Sequence, residues 1–142
     1  MEEQSTAETN PEIWQQINTV LIIDDDADWC YIAKIILQRA GIGKQILTAH
    51  NGQEGIKSLQ TMVANGEKLP DVIFLDIKMP VMDGFEFLDA VTRLSELDLS
   101  RTRIFICSSS SHPKDKEKAN LYPVAGFVSK PLTKEILRNI LS

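Results

Sequence analysis

The sequence predicts an α/β domain in which five short parallel strands form one sheet covered by helices on both faces. Three observations predict it. Apolar runs at Val20–Ile23, Val72–Leu75 and Ile104–Cys107 are short and unbroken, as strands buried on both faces are. Segments of helical length, with apolar residues three and four apart, separate the runs. Strand and helix alternate five times in units too short for anything but parallel pairing through right-handed crossovers.

Taken in order, the first strand is Val20–Ile23, which runs directly into Asp24-Asp25-Asp26. A helix over 27–40 follows, with Ile32, Ile35, Ile36 and Ala40 on its inward face and Gly41 as its stop. Asp26 or Asp28 is expected to cap its start. Gln45–Ala49 reads as the second strand, and 51–65 as a helix with Ile56, Leu59 and Val63 inward, closed by Gly66. The third strand, Val72–Leu75, ends on Asp76; Met79-Pro80 breaks the chain and Asp83-Gly84 turns it. Phe85, Leu88, Val91 and Leu94 mark the third helix. The fourth strand, Ile104–Cys107, ends in four serines, and Pro113 suits the first turn of a helix that Pro123 halts. Gly126–Ser129 is the fifth strand, and 132–141 the last helix, with Leu132, Ile136 and Ile140 on one face.

Length and composition bound the function. The 142 residues suffice for one domain that buries about two-thirds of its unfolded surface. Hydrophobic residues at 43% and charged ones at 25% exclude wholesale disorder. No apolar run reaches the ~18 to 20 residues of a membrane span, and the first dozen residues lack the apolar core of a secretory signal, so a cytoplasmic location is expected. Residues 1–12 carry four glutamates and no Lys or Arg, whereas the rest holds 15 basic against 16 acidic residues. A body so nearly neutral lacks the electrostatic footprint of a nucleic-acid or anionic-membrane binder. Residues 1–17 are expected to form a flexible acidic extension, its end pinned by Trp14 and Ile17, with the domain proper at 18–142. Cys30 and Cys107 sit in apolar segments and read as small buried hydrophobes. His50 and His112 lack metal-ligand company and read as exposed loop residues.

Active groups in sheets of this kind gather beyond the carboxyl ends of the strands. There the sequence places Asp24, Asp25 and Asp26 after strand one, Asp76 after strand three, Ser108 after strand four and Lys130-Pro131 after strand five. Carboxylates crowded together repel unless a cation joins them, and Mg²⁺ suits an oxygen-lined site with few carboxylates. Beside such an ion a phosphoryl group could meet the Lys130 ammonium and the Ser108 hydroxyl. Asp76, alone at its strand end, is then the natural nucleophile, able to form an acyl phosphate.

These residues resemble the receiver domain of bacterial two-component response regulators, in a stand-alone, chemotaxis-regulator-like form. The resemblance rests on Val20–Ile23 with Asp24-Asp25, on Asp76-Ile77-Lys78-Met79-Pro80 with Asp83-Gly84, on Ser108 and on Lys130-Pro131, and it covers 19–142. It implies a flavodoxin-like three-layer sandwich with strand order 2-1-3-4-5. It implies that Asp76 accepts a phosphoryl group, as 4-aspartylphosphate, from a histidine of a sensor kinase or phosphotransfer protein. Asp25 and Asp76 would bind Mg²⁺ directly, Asp24 through water, and the backbone carbonyl of Lys78 would be a further ligand. Lys130 would pair with Asp76 and then with a phosphoryl oxygen; the bond to Pro131 is expected to be cis. Ser108 and Phe127 would be the moving parts of a switch whose altered surface a separate protein reads in a phosphorelay. Core packing is the alternative for Phe127. Lys78 and Ser110 occupy positions that tune hydrolysis of the phosphoryl group in the family; the arm of Lys78 either shields that group or points to water. Trp29 either overhangs the acids or packs its helix, the latter being favoured. The chain ends with its fifth helix, so no output domain is expected, and the protein is expected to be a switch rather than an enzyme.

Two other functions compete. Asp24-x-Asp26 has the spacing of haloacid-dehalogenase-like phosphohydrolases, with Asp24 as nucleophile, but that plan leaves Asp76 and the Pro80–Gly84 turn unexplained. A degenerate receiver, acting as an unphosphorylated binding module, would need its acid pocket occluded.

Overall fold

The computed structural model describes residues 16–109 and 112–142. Trp14, Ser110 and the acidic residues at the N-terminus lie outside the described residues. Strands β1 (Thr19–Ile23), β2 (Gln45–Ala49), β3 (Val72–Leu75), β4 (Arg103–Ser108) and β5 (Gly126–Ser129) alternate with helices α1 (Ala27–Arg39), α2 (Gly52–Ala64), α3 (Gly84–Arg93), α4 (Pro113–Ala119) and α5 (Lys134–Leu141). All pairings are parallel, in the order β2-β1-β3-β4-β5. This is the flavodoxin-like order expected.

Strand periodicity divides the core into two layers. Val20, Ile22, Val72, Phe74, Phe105 and Cys107 point to one face, where Trp29, Ala33 and Leu37 of α1 and Leu137 and Leu141 of α5 cover them. Leu21, Ile23, Ile73, Leu75, Ile104 and Ile106 point to the other, under Leu59 of α2 and Phe85, Phe87, Leu88 and Val91 of α3. Ile17 is buried against the first layer. Because β1 and β3 are central and covered twice, Val20–Ile23 and Val72–Leu75 carry no polar side chain.

The inward faces of several helices differ from those expected. In α1 the buried residues are Trp29, Cys30, Ala33 and Leu37, whereas Ile32 is 47% exposed. The helix carries two apolar stripes, and the one with small Cys30 and Ala33 sits on the sheet while Ile36 and Ala40 flank it. In α2, Leu59 and Met62 are buried and Val63 is exposed. Gly55 permits this: a Cβ there would lie 2.7 Å from Ile23 Cδ1 and 3.2 Å from Phe87, so the helix approaches β1 on its glycine side. In α5, Leu137 and Leu141 are fully buried, with Ile136 and Ile140 at the margin. Leu132 is buried but precedes the helix, whose start is set by Thr133 accepting from the Ile136 N–H. Helix α4 ends at Ala119 with Asn120 as cap, ahead of Pro123.

Candidate functional site

Local chemistry at each strand end positions the site. After β1, Asp26 caps α1 by accepting from the Trp29 N–H at 3.1 Å, while its own N–H donates to Asp24 Oδ1 at 2.9 Å. One carboxylate oxygen of Asp24 is thereby fixed to the start of the helix. After β3, Asp76 Oδ1 accepts from the Ile77 N–H at 2.8 Å. The following turn packs against this residue, since Gly84 N donates to the Ile77 carbonyl at 2.8 Å and Asp83 and Glu86 form a reciprocal capping box that starts α3. After β4 and β5, Lys130 N donates to the Ser108 carbonyl at 2.9 Å, which binds the two strand ends together. The Lys130–Pro131 peptide bond is cis.

These constraints bring the side chains of three strand ends to one place. Lys130 Nζ lies 2.6 Å from Asp24 Oδ2 and 3.8 Å from Asp76 Oδ2. Carboxylate oxygens of Asp24, Asp25 and Asp76 all lie within 4.8 Å of one another. Asp24 and Asp76 are buried, and Asp25 is exposed. Both oxygens of Asp24 are engaged, one by Asp26 N and one by Lys130, whereas Asp76 Oδ2 stands at the longer distance from the ammonium.

The electrostatics follow from that crowding. Burial, and then the charge of Asp24, push the Asp76 carboxyl up to about 6, against the opposing pull of Lys130 and the Ile77 N–H. Burial also works against the Lys130 ammonium, but its hydrogen bond to Asp24 and the charges of Asp76 and Asp24 outweigh burial and hold its pKa above the usual value. Beneath the site, burial pushes the Cys107 thiol up to about 12 and the Cys30 thiol up to about 11, so neither is a thiolate nucleophile near neutrality.

Ser108 is buried at the last position of β4, paired in register with Ser129 of β5. Phe127 is half-buried against the second core layer, and the Lys116 ammonium lies 5.7 Å from its ring centroid. The Lys78 side chain is exposed. His50 and His112 are exposed; the His50 N–H donates to Glu54 Oε1 at 3.0 Å, and His112 Nδ1 accepts from the Lys114 N–H as the cap of α4. Trp29 takes the packing role favoured from the sequence. Its ring packs in the first core layer, and the ring centroid also lies 5.3 Å from Lys130 Nζ.

Among the described residues no helix is long and apolar enough to cross a membrane. A family model for the response regulator receiver domain matches residues 20–142. A two-component response regulator from Cytophaga hutchinsonii superposes with a TM-score of 0.80 at 31% identity, covering 87% of this chain and 93% of that one. The chemotaxis response regulator CheY4 of Vibrio cholerae does so with a TM-score of 0.70 at 30% identity, covering 89% and 97%. The sensor histidine kinase CheAY of Helicobacter pylori is 30% identical over 86% of this chain, which spans only 14% of that kinase.

Proposed function

The chain belongs to the response regulator receiver family, and from that membership we propose that it accepts a phosphoryl group on Asp76 from a phosphohistidine of a sensor kinase or phosphotransfer protein. One observation carries the reading: a lysine ammonium stands between two buried carboxylates, 2.6 Å from Asp24 and 3.8 Å from Asp76, with the exposed Asp25 completing a triad of acids.

In this reading Asp76 Oδ2, which stands off the ammonium while Oδ1 is tied to the Ile77 N–H, attacks phosphorus. A P–O bond forms, the P–N bond to the donor imidazole breaks, and the electron pair leaves with the imidazole nitrogen. Lys130 then shifts its nearer contact from Asp24 toward a phosphoryl oxygen, a movement its flexible stem permits. The Ser108 hydroxyl, at the end of β4, accompanies it by turning toward the phosphoryl group. Phe127, half-buried beside Lys116, follows as the surface readout for a downstream partner.

The donor set suits Mg²⁺: three carboxylates at one strand edge, with Asp25 facing water and Asp76 repelled by its neighbours. Asp25 and Asp76 would bind the ion directly, Asp24 through water because both its oxygens are engaged, and the Lys78 carbonyl would complete the protein ligands. The ion, when bound, offsets the charge of the carboxylates and of the arriving phosphoryl oxygens.

Residues 18–142 are the receiver unit in this reading and 1–17 an extension, and a cytoplasmic setting follows from the donor. Membership of the receiver family argues against a phosphohydrolase that uses Asp24, as does the engagement of both Asp24 oxygens. Incubation with acetyl phosphate and Mg²⁺ tests the proposal. Intact-mass analysis is expected to find one added phosphoryl group that Asp76→Asn abolishes. Undiminished incorporation in Asp76→Asn, with loss in Asp24→Asn, would transfer the chemistry to Asp24; no incorporation into the wild-type chain would support an unphosphorylated binding module.

A further inference from the structure

The Lys130 ammonium has three neighbours that compete with water for it: Asp24, Asp76 and the face of an indole. The ring centroid of Trp29 lies 5.3 Å from Nζ, inside the range of a cation–π interaction. The tryptophan is nearly buried, at 9% exposure, and its backbone N–H is bonded to the cap Asp26, whose own N–H holds Asp24. The carboxylate that grips Lys130 and the ring that flanks it therefore hang from one rigid helix start. A leucine at this position could still pack in the core, but it would offer the ammonium no negative face.

We propose that Trp29 is a positioning residue that keeps the Lys130 ammonium between Asp24 and Asp76. The proposal rests on the role given to Lys130 above. The lysine stem has four rotatable carbons, and a ring on its flank removes the arrangements in which the ammonium swings away from the acids. Unlike a further carboxylate, the ring is uncharged, so it holds the ammonium without competing with the phosphoryl oxygens that later need it.

The test compares the full chain with Trp29→Leu and Trp29→Phe. In carbon–proton correlation spectra, the ε-methylene of Lys130 is expected upfield of the other lysines through the indole ring current and is expected to lose that shift in Trp29→Leu. Phosphorylation by acetyl phosphate in Trp29→Leu is expected to slow roughly threefold to tenfold, with Mg²⁺ affinity unchanged and partial recovery in Trp29→Phe. An unshifted ε-methylene in the wild-type chain overturns the contact. A Trp29→Leu chain phosphorylated as fast as wild type overturns the positioning role alone, whereas a wild-type chain that takes no phosphoryl group overturns the phosphoacceptor reading and this role with it. Should Trp29→Leu fail to fold, the same spectra and rates in Trp29→Phe decide the matter, since a smaller ring predicts a smaller shift and an intermediate rate.

Discussion

The Cα of Gly84 lies against the backbone of Asp76, so that a side chain at 84 would overlap the Asp76 carbonyl oxygen and touch the Ile77 Cα. Both contacts are with backbone and cannot be relieved by a rotamer change. The first turn of α3 is thereby pressed onto the segment that carries the central acid, with Gly84 N donating to the Ile77 carbonyl.

Gly84→Ala is expected to destabilise the fold by about 2–3 kcal/mol, the upper part of the range of overpacking in a tight core because the overlap is with backbone, and to disturb Asp76 in the process. Gly66 supplies the contrast: it has φ +73° and nothing within 4 Å of the place a methyl group would occupy, so Gly66→Ala meets only backbone strain, about 1 kcal/mol. Urea unfolding measures both, and equal losses at the two positions would refute the steric account of Gly84.

Asp76 gives a pH dependence whose sign is fixed by its neighbours. Its carboxyl titrates near 6 in the fold against 3.8 as an ordinary group, because burial and Asp24 disfavour the charged form. Between those values the native state binds more protons than the unfolded one, so without metal this residue's contribution to stability is present below about pH 4 and lost as pH rises through about 6. Asp76→Asn keeps an acceptor for the Ile77 N–H and removes the charge. It is expected to stabilise the metal-free protein at pH 7.5 by about 1–3 kcal/mol and to flatten this part of the pH profile. Mg²⁺ is expected to bind more tightly at pH 7.5 than at pH 5, because Asp76 must ionise to bind it, and to narrow the gap between wild type and Asp76→Asn. Thermal melts with Mg²⁺ and with EDTA measure each of these; a metal-free wild type as stable at pH 7.5 as Asp76→Asn would remove the repulsion from the account.

What can be read from the sequence is whatever the strand ends fix. Asp24, Asp76 and Ser108 each follow a strand-length apolar run and Lys130 follows the short strand Gly126–Ser129, and parallel strands must bring such positions to one edge. Helix rotation is less legible. Spacing puts Ile32 and Val63 inward where the fold buries Leu37 and Met62, and the choice is made by neighbours distant in sequence, such as the Ile23 and Phe87 atoms that crowd Gly55. The contact of Trp29 with Lys130 joins α1 to the end of β5, far apart along the chain, and no local pattern announces it. Backbone strain is equally silent, because nothing in Pro80-Val81-Met82 marks the middle residue as left-handed.

Val81 has φ +69°, the one non-glycine among the described residues with positive φ, and its side chain is 75% exposed. A β-branched residue is the worst suited to that region, since both γ-carbons crowd the backbone there. The turn is held in place by Met82 N donating to the Pro80 carbonyl at 2.7 Å, and Met82 in turn receives the Gly52 N–H on its own carbonyl at 3.0 Å. With little buried contact to lose, replacing Val81 acts mainly on backbone energy. Val81→Gly removes the crowding in the native state but frees the unfolded chain, and the two effects oppose each other. Val81→Asn relieves strain with less freedom gained on unfolding, because asparagine tolerates the left-handed region and keeps a side chain. The expected order of stability is therefore Asn above Gly and both above Val, with a gain of about 1 kcal/mol for Val81→Asn, read as a shift of the urea midpoint at constant slope. If Val81→Asn unfolds at lower urea than the wild-type chain, the turn is not a store of strain and Val81 is held by contacts that its exposure conceals.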